Sequence, residues 1–346
     1  MNWYWSLKGL DKVKKNGYKA FSTFSGGGGT CMGMKLAGFD IIAINEVDKK
    51  QVNKYIRNLG KPKYVFDEPI QNLLEKDLPE ELYDIDVFEG SPPCTLFSSA
   101  NVKADERKGK KIKYREGNIE QVIDDLFFIT IDLIKELQPK IVVLENVKGL
   151  LFKKNKYYVD KIYKKLNNAG YNTSHYLLNS MYMGVPQKRE RVFFIATRKD
   201  LPKFKENMEF DKKPIPIKEI INKIGEEKLL YQLTNQMEQL IKHMVDNDKD
   251  FADIYYRLHN KRALFNHKIV SLNDVCPTIR GGDMTICVRE YKKRLTKEAK
   301  ILCSSFPYDY DFRDKIEYTI GMSVPPLMAY NVFKKVENYL NKITKG

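Results

Sequence analysis

A chain of 346 residues, 42% hydrophobic and 30% charged, has the apolar content of a folded protein with a sizeable core, and its length suggests about two domains. Its 60 Lys and Arg against 45 Asp and Glu leave a net charge of +15, which points to a polyanionic partner, nucleic acid first, with a merely solvated lysine-rich surface as the bland alternative. No apolar run reaches the ~20 residues a bilayer requires, the opening MNWYWSLKGLDKVKKNG has no secretion-signal core, and five scattered cysteines without a CxxC pair argue against a disulfide framework or zinc site and fit a reducing cytoplasm.

In chain order, YKAFSTF (18–24) reads as a buried strand ending in a glycine cluster, TCMGMKLAG (30–38) as the helix after it, and FDIIAIN (39–45) as a second strand ending at Glu46. DIDVFEG (84–90) is a further strand. VIDDLFFITIDLIKEL (122–137) has helical apolar spacing and stops before Pro139. KIVVLENV (140–147) is a fully buried strand, YYVDKIYKKLNNAG (157–170) an amphipathic helix closing on glycine, and GVPQKRERVFFIATR (184–198) a loop running into another strand. Strands alternating with helices specify an α/β fold with a parallel sheet. From 199 to about 290 that alternation disappears, which marks a second, smaller domain. The chain closes with an amphipathic helix in VPPLMAYNVFKKVENYLNKI (324–343), whose prolines stand where a helix start tolerates them.

Five constellations carry chemistry. FSGGGG (24–29) between strand and helix lets backbone approach a ligand and exposes a helix N-terminus. Glu46 stands about 20 residues on, where a carboxylate in such folds accepts from ribose hydroxyls, so the unit reads as a nucleotide-like cofactor site, or as a turn needed only for packing. Cys94, in EGSPPCTLFSSA (89–100), follows two prolines that rigidify its loop at the carboxyl end of a strand, where open α/β sheets place ligands. That makes it a candidate nucleophile, whereas Cys31, Cys276, Cys287 and Cys303 read as inert apolar residues. Glu145 in LENV is costly to bury without a partner, and burial there would raise its pKa toward proton donation, unless it caps a neighbouring helix. Gln187, Arg189 and Arg191 alternate in QKRER, so an extended segment would show all three on one face, for an anion, for a carbonyl oxygen or as a salt-bridged edge. Between Thr95 and Asn118 a basic, aperiodic loop reads as a lid over a polyanion or as a solvated insertion.

FSGGGG with Glu46, SPPCTLFS, LENV, QKRER, RLTKEAKILCSSFP (294–307) and GMSVPP (321–326), in this order, resemble the DNA cytosine-C5 methyltransferases of bacterial and phage type. The resemblance covers the chain from about residue 20 to its end, apart from the variable stretch between 198 and 270. It implies a Rossmann-like, S-adenosylmethionine-dependent methyltransferase sheet with a smaller, irregular target-recognition domain. Residues 1–197 plus 318–346 would form the catalytic and cofactor-binding domain, discontinuous because the last helix folds back onto it, and residues 198–317 the target-recognition domain. By similarity, Cys94 attacks C6 of a flipped cytosine, Glu145 binds N3 and the exocyclic amine and supplies the proton, Arg191 holds O2 and Arg189 supports the loop. The resemblance puts Phe24, Gly26, Gly28, Gly29, Glu46, Val47, Asp67, Ile70, Pro93, Leu126, Met322 and Ser323 at the S-adenosyl-L-methionine site. It puts Ser98, Gln187, Arg257, Arg262, Thr278, Ile279 and Arg280 on the DNA. No metal is implied.

Three positions depart from the family pattern. Thr95 replaces the usual Gln after the nucleophile, Met322 stands where Asn is usual, and Val47 stands where an aromatic residue often stacks on adenine. The implied partner is double-stranded DNA with a flipped cytosine, alongside a cognate restriction endonuclease unless the protein is an orphan. The chain would work as a cytoplasmic monomer with no membrane contact. A tRNA cytosine-C5 methyltransferase and a catalytically silent DNA-binding protein of the same fold are the alternatives. A nicotinamide-dependent dehydrogenase leaves PPC, ENV and QKRER without a role.

Overall fold

Short apolar runs alternating with helices lay down a seven-stranded sheet in the computed structural model, which describes residues 2–93, 111–113, 120–261, 263–264, 267–282 and 284–345. The strands are β1 (Lys19–Thr23), β2 (Asp40–Asn45), β3 (Tyr64–Phe66), β4 (Val87–Gly90), β7 (Ile141–Val147), β8 (Tyr171–Asn179) and β10 (Glu190–Arg198); β5 (Lys111–Lys113) pairs separately with β6 (Glu120–Val122), and β9 (Gln187–Lys188) lies outside this sheet. Their spatial order is β3-β2-β1-β4-β7-β10-β8. The five strands from β3 to β7 are mutually parallel, and β10 runs antiparallel to both β7 and β8.

Helices α1 (Gly29–Leu36), α2 (Lys49–Leu59), α3 (Ile123–Leu137) and α4 (Lys156–Asn168) follow β1, β2, β6 and β7 in the chain. Strand β7 reads IVVLENV and is buried through Asn146, as a strand covered on both faces must be. Phe21, Phe88, Leu144, Ile134 and Phe194 belong to one core. Two elements had no signal of their own. Helix α2 is lysine-rich, yet it buries Val52 and Tyr55 and is capped by Asp48, whose side chain accepts from the Lys50 amide at 2.8 Å. Strand β8 has no continuous apolar run because it is an edge strand, half-buried along most of its length.

The chain folds as two compact units, the larger made of Lys8–Asn179, Glu190–Glu209 and Ala329–Gly346, the smaller of Met1–Leu7, Ser180–Arg189 and Phe210–Met328. These boundaries differ from the 197/198 and 317/318 divisions read from the sequence. Strand β10 and Pro202, whose carbonyl accepts from Tyr339 at 2.6 Å, stay with the larger unit. Segment 180–189 stays with the smaller one because β9 pairs in parallel with Cys276–Pro277. Within the smaller unit, Leu230–Tyr231, Lys293–Leu295, Ile286–Val288 and Lys268–Val270 form a four-stranded sheet in that order, and Leu233, Phe251, Ile254 and Cys287 share its core. No described helix is long and apolar enough to cross a membrane.

Candidate active site

The glycine loop starts with strain. Phe24 (φ 53°), Gly26 (φ 50°) and Gly28 (φ 85°) all occupy the left-handed region, so the chain reverses sharply between β1 and α1. Only glycine serves at Gly28, where a Cβ would come within 2.5 Å of Leu59 Cδ1 on α2. The loop is pinned through Ser25, whose amide donates to the Asn45 carbonyl at 3.2 Å, and through Glu46, whose carboxylate accepts from the Gly26 amide at 2.8 Å and the Asp48 amide at 2.9 Å. Burial pushes the Glu46 pKa up to about 7 against the pull of those amides.

These residues fit a nucleoside-bearing group. An added Cβ at Gly26 would meet no atom within 4 Å, so open space lies beside the amide that Glu46 holds. Asn45 Nδ2 donates to the carbonyls of Phe66 and Glu68 and fixes the chain after β3. There Asp67 is exposed and 3.7 Å from Lys49, while Ile70 is buried in the core, as is Leu126. Val47 is half-buried.

Across the carboxyl ends of the central strands runs a polar stripe. Ser22 on β1 is the register partner of Glu89 on β4, Glu89 that of Val143 on β7, and Glu145 stands two residues beyond Val143 on the same face. Glu145, 9% exposed, is 2.9 Å from Arg191 Nε on β10, whose Nη1 donates to the Glu190 carbonyl at 2.8 Å. The next residue, Asn146, is buried and reaches the preceding strand's loop, its Nδ2 donating to the Pro92 carbonyl at 3.3 Å. A buried amide thus fixes the first of the two prolines, with Pro93 half-buried beside it. Cys94, Ser98 and most of the basic loop lie outside the described residues, as does Arg262. The other four cysteines are free and buried, and burial drives the Cys31 and Cys287 pKa values up to about 12, as inert thiols require.

Gln187, Arg189 and Arg191, expected on one face of an extended segment, meet three different sets of partners. In the smaller unit, Gln187 is buried and donates to Ser304 Oγ at 3.0 Å. Arg189 is among the largest fully buried side chains. It donates to the Ile279 carbonyl at 3.0 Å and the Gly321 carbonyl at 2.8 Å. Arg191 alone of the three meets Glu145, in the larger unit. Ile279 is itself buried, and Thr278 Oγ1 donates to the Lys188 carbonyl at 2.7 Å. Arg257 forks onto Asp248 at 2.8 and 2.9 Å and also donates to the His243 carbonyl, holding the Asp248 carboxyl below its ordinary range. Arg280 is exposed, Met322 is 52% exposed, and Ser323 Oγ donates to the Thr319 carbonyl.

Residues 18–338 match the model of the C-5 cytosine-specific DNA methylase family. The chain belongs to that family. Among curated relatives, the Type II methyltransferase M.FnuDI of Fusobacterium nucleatum is 38% identical over 204 residues, 58% of this chain and 52% of that protein, so the chain spans about half the length of that relative. The Type II methyltransferase M.HgiDI of Herpetosiphon aurantiacus is 26% identical over 357 residues, 94% of this chain and 96% of that protein. The fold is shared with the crystal structure of Spodoptera frugiperda DNMT2, with a TM-score of 0.63 at 18% identity over 92% of this chain and 99% of that one. Two buried polar residues of this stripe had a faint sequence signal or none. Asn146 was legible only as part of LENV, and Glu89 looked like one polar residue in an apolar run.

Proposed function

We propose that this chain methylates C5 of cytosine in a short double-stranded DNA target, with S-adenosyl-L-methionine as donor, Cys94 as nucleophile and the Glu145–Arg191 pair as the base-binding acid and its partner. The observation that carries the reading is this buried pair at the end of β7 and β10, with its neighbour Asn146 fixing the proline lead-in to Cys94. Cytosine C5 is a weak nucleophile until a thiolate adds at C6. Glu145 receives N3 and the exocyclic amine and gives N3 a proton as the C6–sulfur bond forms. Arg191 orients the Glu145 carboxyl and donates to O2. The cofactor, held by the glycine loop and Glu46, supplies an electrophilic methyl group. Loss of the C5 proton then expels Cys94 and restores the aromatic ring. The base is reachable only when flipped from its stack. The smaller unit, held to segment 180–189 through Arg189 and Gln187, serves as the target reader, and the net positive charge favours the phosphate backbone. A cognate endonuclease is the partner that the Type II relatives suggest.

A duplex with 5-fluorocytosine at the target tests this, because fluorine does not leave as a proton. With S-adenosyl-L-methionine present, a covalent protein–DNA band on a denaturing gel is expected, absent in Cys94→Ser. No adduct on any target-bearing duplex would overturn C6 attack.

A further inference from the structure

Past the end of β7 the chain turns basic. Lys148, Lys153, Lys154, Lys156, Lys161, Lys164 and Lys165 stand between residues 148 and 170 against a single acid, Asp160. They fall into two sets. Lys148 donates to both oxygens of Glu190 at 2.9 and 3.0 Å, Lys165 donates to both oxygens of Asp132 at 2.8 Å, and Lys161 Nζ lies 3.9 Å from the centre of the Phe128 ring. These three are engaged within the larger unit. Lys153, Lys154, Lys156 and Lys164 are exposed, and among the described residues none of the four has a carboxylate within 4.0 Å. Helical geometry gathers them. Lys156, Asp160 and Lys164 recur one turn apart on one face of α4, and the opposite face buries Ile162 and Leu166. Tyr157, 70% exposed, lies beside the row, and Phe152, 43% exposed, precedes it.

We propose that Lys153, Lys154, Lys156 and Lys164 form a phosphate-contacting ledge by which the larger unit grips the backbone of duplex DNA on its own account. This rests on the reading of duplex DNA as the substrate. Two short helical turns, Lys148–Leu151 and Lys153–Asn155, are all that separate β7 from α4, so the ledge starts at the same end of the sheet as Glu145 and Arg191. An acidic protein or an anionic membrane would also attract exposed lysines. Only the duplex has to come to this end of the sheet, where its cytosine is received. The spacing suits it as well. At 1.5 Å per residue, Lys156 and Lys164 stand about 12 Å apart along the helix axis. Phosphates of one strand recur about every 3.4 Å of duplex, so the row spans roughly three or four of them. A lysine is a point charge on a flexible stem, which follows a backbone without demanding a fixed geometry, and the Tyr157 hydroxyl adds a donor for a phosphate or sugar oxygen. Such contacts hold the duplex and carry no sequence information, which leaves target choice to other residues.

The test is the salt dependence of binding to a fluorescent 30-base-pair duplex lacking any cytosine-bearing target, for wild type and the triple variant Lys153→Gln, Lys156→Gln, Lys164→Gln. A control variant, Lys12→Gln, Lys14→Gln, Lys15→Gln, removes the same charge from the segment that leads into the amino end of β1. Each lost phosphate contact lowers the slope of log affinity against log salt by about 0.9, so the ledge variant should lose about 2–3 from its slope. Between 50 and 200 mM salt the wild type should then lose roughly 40-fold more affinity than the ledge variant. The control should keep the wild-type slope. An unchanged slope in the ledge variant would overturn the proposal, and so would an equal drop in the control, which would make the effect one of net charge alone. A slope unchanged on duplex DNA but reduced on transfer RNA would replace the duplex by RNA as the occupant. The 5-fluorocytosine adduct separates this claim from the one it rests on. An adduct that forms while the ledge variant keeps its slope refutes only the ledge, whereas a wild type that neither binds duplex nor forms the adduct refutes both.

Discussion

Replacing Glu89 by Gln should change how the larger unit's stability depends on pH, independently of any catalysis. Glu89 moves from an ordinary value of 4.5 to about 8 on folding. In that window the folded chain keeps a proton that the unfolded chain has lost, so the stability present below pH 4.5 is withdrawn as pH rises and is gone above about 8. Each pH unit of such a difference is worth about 1.4 kcal/mol, and the window sums to about 4–5 kcal/mol. Gln has no proton to lose. The wild type should therefore lose about 4–5 kcal/mol relative to Glu89→Gln between pH 4.5 and 8, whatever offset separates them at low pH. Denaturant unfolding followed by far-UV circular dichroism at half-unit steps measures this, and comparing the two proteins cancels the other titrating groups. Tryptophan fluorescence serves as an internal control, because both tryptophans, Trp3 and Trp5, lie in the smaller unit. A wild-type-to-variant difference that stays flat across the window would refute the account of Glu89 as a buried, neutral acid.

Arg189→Met would strand the Ile279 and Gly321 carbonyls, at about 1–3 kcal/mol each, and should destabilise the smaller unit by about 2–6 kcal/mol, read by tryptophan fluorescence in denaturant. A loss below about 1 kcal/mol would show that the guanidinium is dispensable to that unit. Glu46 holds its proton up to about pH 7, so on the proposed reading that ribose hydroxyls donate to its anion, S-adenosylhomocysteine affinity should rise between pH 6 and 8 by calorimetry. Glu46→Gln should bind more weakly and lose that dependence. Arg257→Ala should lower the smaller unit's stability through the lost Asp248 fork, yet leave the salt slope of DNA binding unchanged. A slope smaller by about one phosphate contact would instead assign Arg257 to the DNA backbone.

The sheet was legible where its strands were apolar throughout: KIVVLENV and VFFIA are buried runs, and they are β7 and β10. Helix α2 and edge strand β8 were not, because their contacts are made by a minority of residues in polar surroundings. In QKRER the sequence shows three polar side chains at alternate positions and hides the separate partners that each of them meets. Arg257 was legible as a cation, whereas its partner Asp248, nine residues before it, was not. Glu89 was missed although its signal, an acid ending an apolar run, is the one that singled out Glu145. Only the register between β4 and β7 reveals that the two share a face.

The measurement closest to the central claim is base-resolution mapping of 5-methylcytosine in DNA from a non-methylating host expressing this chain or its Cys94→Ser variant. The account requires 5-methylcytosine at one short motif with the wild-type chain and none with Cys94→Ser. Unmodified DNA from the wild type, or methylation that survives the loss of the thiol, would contradict it.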